Sequence, residues 1–107
     1  MNRIVLEMRL PHSEELDILF EGILLLKNMK ECRAFFEDLC TVRELDDMAQ
    51  RFAVALRLNN GECYSSISDE TGASSATISR VARCLNYGAG GYRTVMDKIG
   101  SGDGEEL

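Results

Sequence analysis

The sequence has no tryptophan, one proline and one histidine. The single histidine, His12, lies near the start and away from any nucleophile, so no Ser-His or Cys-His catalyst can be assembled on it. The chain therefore reads as a non-enzyme. The cysteines stand at 32, 40, 63 and 84 with no CxxC pair among them. That spacing argues against a zinc site and against a dithiol redox centre, and the simplest expectation is buried free thiols. No apolar run approaches the ~20 residues of a membrane span. The first ten residues hold Arg3, Glu7 and Arg9 instead of a signal-peptide core. A soluble, cytoplasmic protein is expected, with no metal, no cofactor and no membrane partner.

The 107 residues are 45% hydrophobic and 28% charged, which suits one folded domain and excludes disorder for most of the chain. The net charge is −6, a balance that taken alone disfavours a polyanionic partner. The charge is not evenly spread, however. Residues 71–96 contain no acid and three arginines, Arg80, Arg83 and Arg93. An acid-free island in an acidic chain marks a candidate binding face.

The periodicity is helical almost throughout, with no convincing period-two strand. An N-terminal arm over 1–12 is expected to be flexible, a helical domain to span 13–99, and an acidic, glycine-rich tail over 100–107 to be disordered. The first helix follows Pro11 with Ser13, Glu14 and Glu15 and is expected to run to about Asn28. Its apolar residues lie on two sides: Leu16, Leu19, Phe20, Ile23, Leu24 and Leu26 on one arc, Ile18 and Leu25 opposite. A helix apolar on both sides is usually sandwiched. In so short a chain the second layer can come from another subunit. A second helix is read over about 30–39, with Cys32, Phe35, Phe36, Leu39 and Cys40 as its core face. Thr41 and Glu44 have capping-box spacing. The third helix then runs to about Asn59, with Leu45, Met48, Ala49, Phe52 and Leu56 as its expected buried stripe, and Gly61 is placed to stop it.

The stretch from Tyr64 to Arg83 reads as a helix-turn-helix. Two short helices crossing steeply need a residue at positive φ, which Gly72 supplies. They need a small residue one turn earlier, which is Ser68. Ile67 and Ala73 close the inside of the corner, Ile78 and Val81 anchor the second helix, and Ser74 or Ser75 caps it. The outward residues of that helix, Ser75, Ala76, Thr77, Ser79, Arg80 and Arg83, are small, hydroxylic or basic. Such residues fit a major groove, bond phosphates and base edges, and let Ala76 or the Thr77 methyl meet a thymine methyl. Tyr64, Ser65 and Ser66 would set the first helix on the DNA backbone, with Ser74 beside them at the turn.

With these residues in view, the run from Thr71 to Arg80, Thr-Gly-Ala-Ser-Ser-Ala-Thr-Ile-Ser-Arg, resembles the helix-turn-helix of the Trp repressor superfamily. The frame agrees: Leu39-Cys40-Thr41 before a helix, Arg51 within it, Gly61-Glu62 after it. Arg83-Cys84-Leu85-Asn86-Tyr87-Gly88 is similar to the YerC/YecD-like branch, and the likeness covers about residues 14 to 99. The resemblance implies an all-α, intertwined homodimer that offers two recognition helices to double-stranded DNA, about one helical turn apart. It further implies an effector pocket at Arg51 and Arg80, with Thr41 and Thr77 at two more of its positions. The chain departs from that pattern with Val81 for a glycine, Cys84 for a serine, and a Gly61–Gly72 interval one residue shorter. These departures argue against tryptophan as corepressor and leave the identity of any small-molecule corepressor open.

The function expected is sequence-specific DNA binding by a dimeric transcriptional regulator, a repressor. Two alternatives stand beside it. One is a helical protein-interaction module, motivated by the acidic balance. The other is a small-molecule sensor that does not bind DNA directly.

Overall fold

The computed structural model describes residues 13–100, so the expected arm over 1–12 and all of the tail after Gly100 lie outside the described residues. Six helices follow in order: α1 (Glu14–Leu24), α2 (Met29–Leu39), α3 (Val42–Asn59), α4 (Tyr64–Thr71), α5 (Ser75–Tyr87) and α6 (Gly91–Gly100). No strand occurs among the described residues. Gly100, assigned to the tail by composition, is the last residue of α6.

Local hydrogen bonding explains most helix boundaries. Ser13 caps α1 by accepting from the Leu16 N–H at 3.1 Å. The helix ends at Leu24 and not near Asn28, which corrects the sequence reading. Asn28 belongs to the next helix: its Oδ1 accepts from the Glu31 N–H at 2.9 Å, and Glu31 accepts from the Lys27 N–H at 3.0 Å. Once Asn28 is in the extended conformation that capping requires, α1 cannot continue through it. The predicted capping box of α3 is present. Thr41 Oγ1 accepts from the Glu44 N–H at 3.1 Å, and Glu44 accepts from the Thr41 N–H at 2.8 Å. Gly61, at φ +80°, ends α3 as expected, and the Glu62 N–H closes back on the Arg57 carbonyl.

The core is built by α3, α4 and α5. Val54, Ala55, Ile67, Ala73, Ile78 and Val81 form one buried cluster, with Leu58 and Tyr92 packed against it. The expected α3 stripe is therefore not the buried one. Leu45, Phe52 and Leu56 are half-buried, and Met48 and Ala49 are exposed. At 100° per residue, Val54 and Leu58 lie on roughly the opposite side of α3 from that stripe, with Ala55 at its edge beside Met48. The chain's own helix-turn-helix covers one side, and the stripe read from the sequence is only partly covered.

The first two helices bury nothing completely. Ile18 is 65% exposed, Leu24 82% and Leu25 76%. The cysteines also depart from expectation: all four are free, but Cys63 is exposed and the others are only half-buried. The radius of gyration is 15.1 Å, against about 13 Å for a compact domain of 100 residues. An open outline and uncovered apolar helices are two sides of one fact: part of the apolar surface has no cover within the chain.

Candidate nucleic-acid interface

The corner between α4 and α5 is closed by side chains satisfying turn backbone. Gly72 sits at φ +77° and ends α4, with its N–H bonded to the Ser68 carbonyl. The Ser68 hydroxyl donates to the Ala73 carbonyl at 2.8 Å, which is the close approach that a small residue was needed for. The Thr71 hydroxyl donates to the Ile67 carbonyl at 2.6 Å and accepts from the Ala73 N–H at 3.2 Å. Gln50 of α3 donates to the Thr71 carbonyl at 3.2 Å. Beneath these bonds, Ile67 and Ile78 are fully buried and Ala73 and Val81 nearly so. The turn therefore has few free backbone partners and a dry apolar underside.

The outward face of α5 follows from that anchoring. Ile78, Val81 and Leu85 point into the core, which leaves Ser75, Ala76, Ser79, Arg80 and Arg83 exposed. Ser74 caps the helix, accepting from the Thr77 N–H at 3.1 Å and donating to Thr77 Oγ1 at 3.1 Å. Thr77 is half-buried, and Ser74 therefore serves the fold at least as directly as any ligand. On α4, Tyr64 and Ser65 are exposed and Ser66 is half-buried. Beside them Cys63 holds the N-cap position. A hydrogen bond to the Ser65 hydroxyl, and then the Ser66 N–H, draw its thiol below the usual range.

Of the four effector positions, the structure brings two together. Arg51 of α3 and Arg80 of α5 line one cleft of about 280 Å³ with Val81, Cys84 and Tyr92. Thr41 is held in the capping box of α3 and Thr77 at the start of α5, and neither lines that cleft. Tyr92 was missed in the sequence. Its ring stacks on Phe52 with centroids 6.3 Å apart. Burial pushes its hydroxyl above the usual value, with the Arg51 charge pulling the other way. No local pattern could have found it, because its partners come from α3 and α5. Gln50 was missed for the same reason. An adjoining apolar groove of about 510 Å³ is lined by Phe52, Cys84, Gly88, Ala89, Gly91, Tyr92 and Val95. Among the described residues no His, Cys, Asp and Glu group could hold a metal ion. No helix there is long and apolar enough to cross a membrane.

An all-α chain whose buried core is the underside of a helix-turn-helix, with an acid-free outer helix face, belongs to the class of helix-turn-helix proteins. It belongs, more narrowly, to the Trp repressor protein family, whose pattern matches residues 14–99. That is a regulatory family and not an enzymatic one. The chain is 53% identical over 87 residues to the uncharacterised protein YerC of Bacillus subtilis (strain 168), covering 81% of this chain and 84% of that protein. It is similar to the crystal structure of a proposed Trp repressor from Staphylococcus aureus, with a TM-score of 0.80 and 45% identity over 83% of this chain and 89% of that one. A TrpR-like protein from Eubacterium eligens ATCC 27750 superposes with the same TM-score of 0.80, at 46% identity over 82% of this chain and 91% of that one.

Proposed function

We propose that the chain is a sequence-specific DNA-binding transcriptional regulator, a repressor, that acts as a homodimer by placing α5 in the major groove. The observation that carries this reading is the outer face of α5. Ser75, Ala76, Ser79, Arg80 and Arg83 are exposed on a helix whose opposite face is locked into the core. Small residues allow close approach to base edges, hydroxyls and guanidiniums bond them, and no acid repels the phosphates. Tyr64, Ser65 and Ser66 sit where they can seat α4 on the backbone.

Two observations support the dimer. Ile18, Phe20 and Leu24 of α1 and Met48 and Ala49 of α3 are exposed, the rest of those two apolar stripes is only partly covered within the chain, and the groove beside Phe52, Tyr92 and Val95 is apolar and open. A second copy can cover these surfaces with its own apolar helices. It would also gather two basic faces on one side, so that the overall charge of −6 no longer opposes DNA.

The test is selection of randomised duplex DNA by the purified protein at low salt, read by sequencing. An enriched palindrome is expected. No enrichment, together with one stoichiometric protein partner in a pull-down, would move the interaction-module reading to the front. The sensor reading rests on the Arg51–Arg80 cleft, where two guanidiniums can grip a flat anionic ligand. Calorimetry against amino acids and aromatic metabolites checks it, and absence of heat with all of them removes it.

A further inference from the structure

Arg93 is the third arginine of the acid-free segment, and its placement differs from that of the other two. Its Nη1 donates to Asn59 Oδ1 at 2.9 Å and its Nη2 to Asn86 Oδ1 at 3.4 Å. Asn59 is the last residue of α3, Asn86 lies one residue before the end of α5, and Arg93 is in the first turn of α6. The guanidinium thus stands where two helices end, and cations are favoured near such ends because the last carbonyls are unpaired. Arginine has no acceptor, so both asparagines must turn their oxygens toward it. Among the described residues no carboxylate pairs with Arg93; the hydrogen-bond acceptors are neutral amides.

The chain between α5 and α6 does not fix their angle by itself. Gly88, Gly90 and Gly91 fall within four residues, and Gly90 is at φ +87°. Gly90 needs its positive φ and a Cβ at Gly88 would meet the Cys84 carbonyl, so the turn depends on glycine and offers little side-chain packing of its own between the two helices. The Arg93–Asn86 bond spans that connection, and the Arg93–Asn59 bond ties the same point to α3. The same helix carries Val95, which lines the open apolar groove, and Ile99, which is exposed. Arg93 therefore joins the recognition helix to the surface that a second copy would cover.

We propose that Arg93 is a positioning residue for DNA recognition: by bridging Asn59 and Asn86 it holds α5 at a set angle to α3 and α6, and so sets the separation of the two recognition helices without touching DNA. This rests on the DNA-binding dimer proposed above. Arg80 and Arg83 remain the arginines that meet DNA.

The experiment uses the full chain on its selected operator. Arg93→Met keeps the aliphatic stem and loses the fork. Asn86→Ala breaks the same bridge without changing charge. Arg83→Met serves as comparator. Specific and non-specific affinity, their salt dependence, thermal stability, and the half-site spacing recovered by repeat selection are read for each. Arg93→Met and Asn86→Ala are each expected to lower specific affinity about threefold to tenfold, the loss of one modest hydrogen-bonded contact. Non-specific affinity and salt slope should stay as in the wild type, and the spacing of recovered half-sites should broaden. Combining the two should add little to either alone. Arg83→Met should instead weaken both kinds of binding and reduce the salt slope by about one. Arg93→Lys should restore part of the affinity by keeping one of the two bonds. A salt slope reduced by about one in Arg93→Met would identify a phosphate contact and overturn the proposal. So would unaltered affinity and spacing, or a loss that vanishes when the variant is assayed well below its melting temperature. If the wild-type chain itself binds no DNA, the DNA-binding reading fails and this proposal with it. Wild-type binding beside unaffected variants sinks the proposal alone.

Discussion

The Gln50 side-chain amide on α3 donates to the Thr71 carbonyl at the end of α4, at 3.2 Å. This bond reaches from the middle of the longest helix to the residue before the turn. Among the described residues it is the one hydrogen bond that connects α3 to the backbone of the corner itself. Gln50→Ala should leave that half-buried carbonyl without its partner and cost about 1 kcal/mol of stability. Urea denaturation measures the loss. A variant as stable as the wild type would mean that water replaces the amide at no cost.

Gly72 answers a different question, because the constraint there is dihedral and not steric. At φ +77°, a Cβ would meet only the Gln50 amide, at 3.9 Å. Gly72→Ala should therefore fold, at a cost of about 1–2 kcal/mol from the left-handed conformation alone. Gly72→Asn should cost less, since asparagine tolerates that region better than alanine does. Thermal denaturation of the two variants side by side checks the order. Equal losses would show that crowding, and not φ, sets the penalty.

The parts of this architecture that were legible in the sequence are those determined within a few residues. The Thr41–Glu44 capping box, the Gly61 stop, the Gly72 corner and the Ile67–Ala73–Ile78–Val81 core were each readable from local chemistry. The end of α1 was not, because the Asn28–Glu31 cap of the next helix prevailed over continued apolar periodicity. The α3 stripe failed for a longer-range reason. That helix is apolar on two sides, and periodicity cannot say which side the chain itself covers. The candidate site divides the same way. Arg51 and Arg80 were found and do share a cleft, while Tyr92 and Gln50 are defined only by tertiary neighbours.

The capping box also gives a pH prediction. The Thr41 backbone N–H, and then its hydroxyl, hold the Glu44 carboxyl below its ordinary value of 4.5. A carboxylate with a depressed folded pKa stabilises the fold above its unfolded value, and that contribution is lost as pH falls through the folded one. Glu44→Gln keeps the box's geometry and removes the charge. The stability gap between wild type and Glu44→Gln should thus be full at neutral pH and close as pH falls below the ordinary value of 4.5 and through the lower folded one. Denaturation midpoints across that range measure the gap. A gap that persists at the acid end would assign the effect to shape.

The exposed aliphatics of α1 separate a dimer from a monomer. Leu24 is 82% exposed in the single chain. In a monomer, Leu24→Glu should change stability by no more than about 0.5 kcal/mol, as surface substitutions usually do. In the proposed dimer the same change buries a charge at an apolar contact. Sedimentation should then show the wild type as a dimer and the variant shifted toward monomer, with a melting temperature that depends on concentration. A wild type that sediments as a monomer at every concentration would refute the assembly.

Arg80 and Arg51 line the same cleft but face different tasks, and substitutions can tell them apart. Arg80 lies on the outward face of α5, and Arg51 lies on α3 behind it. If Arg80 contacts a base edge, Arg80→Ala should cost about 1–3 kcal/mol in operator binding and relax preference at one position of the half-site. Arg51→Ala should leave operator binding unchanged in the absence of an effector, because the proposed mode places α5 and not α3 in the groove. Titration of both folded variants against the selected operator and a scrambled duplex gives the comparison. If Arg51→Ala weakens operator binding as much as Arg80→Ala does in purified protein, the two guanidiniums act as a unit through the cleft, and the search for a ligand between them would take precedence over further mapping of the groove.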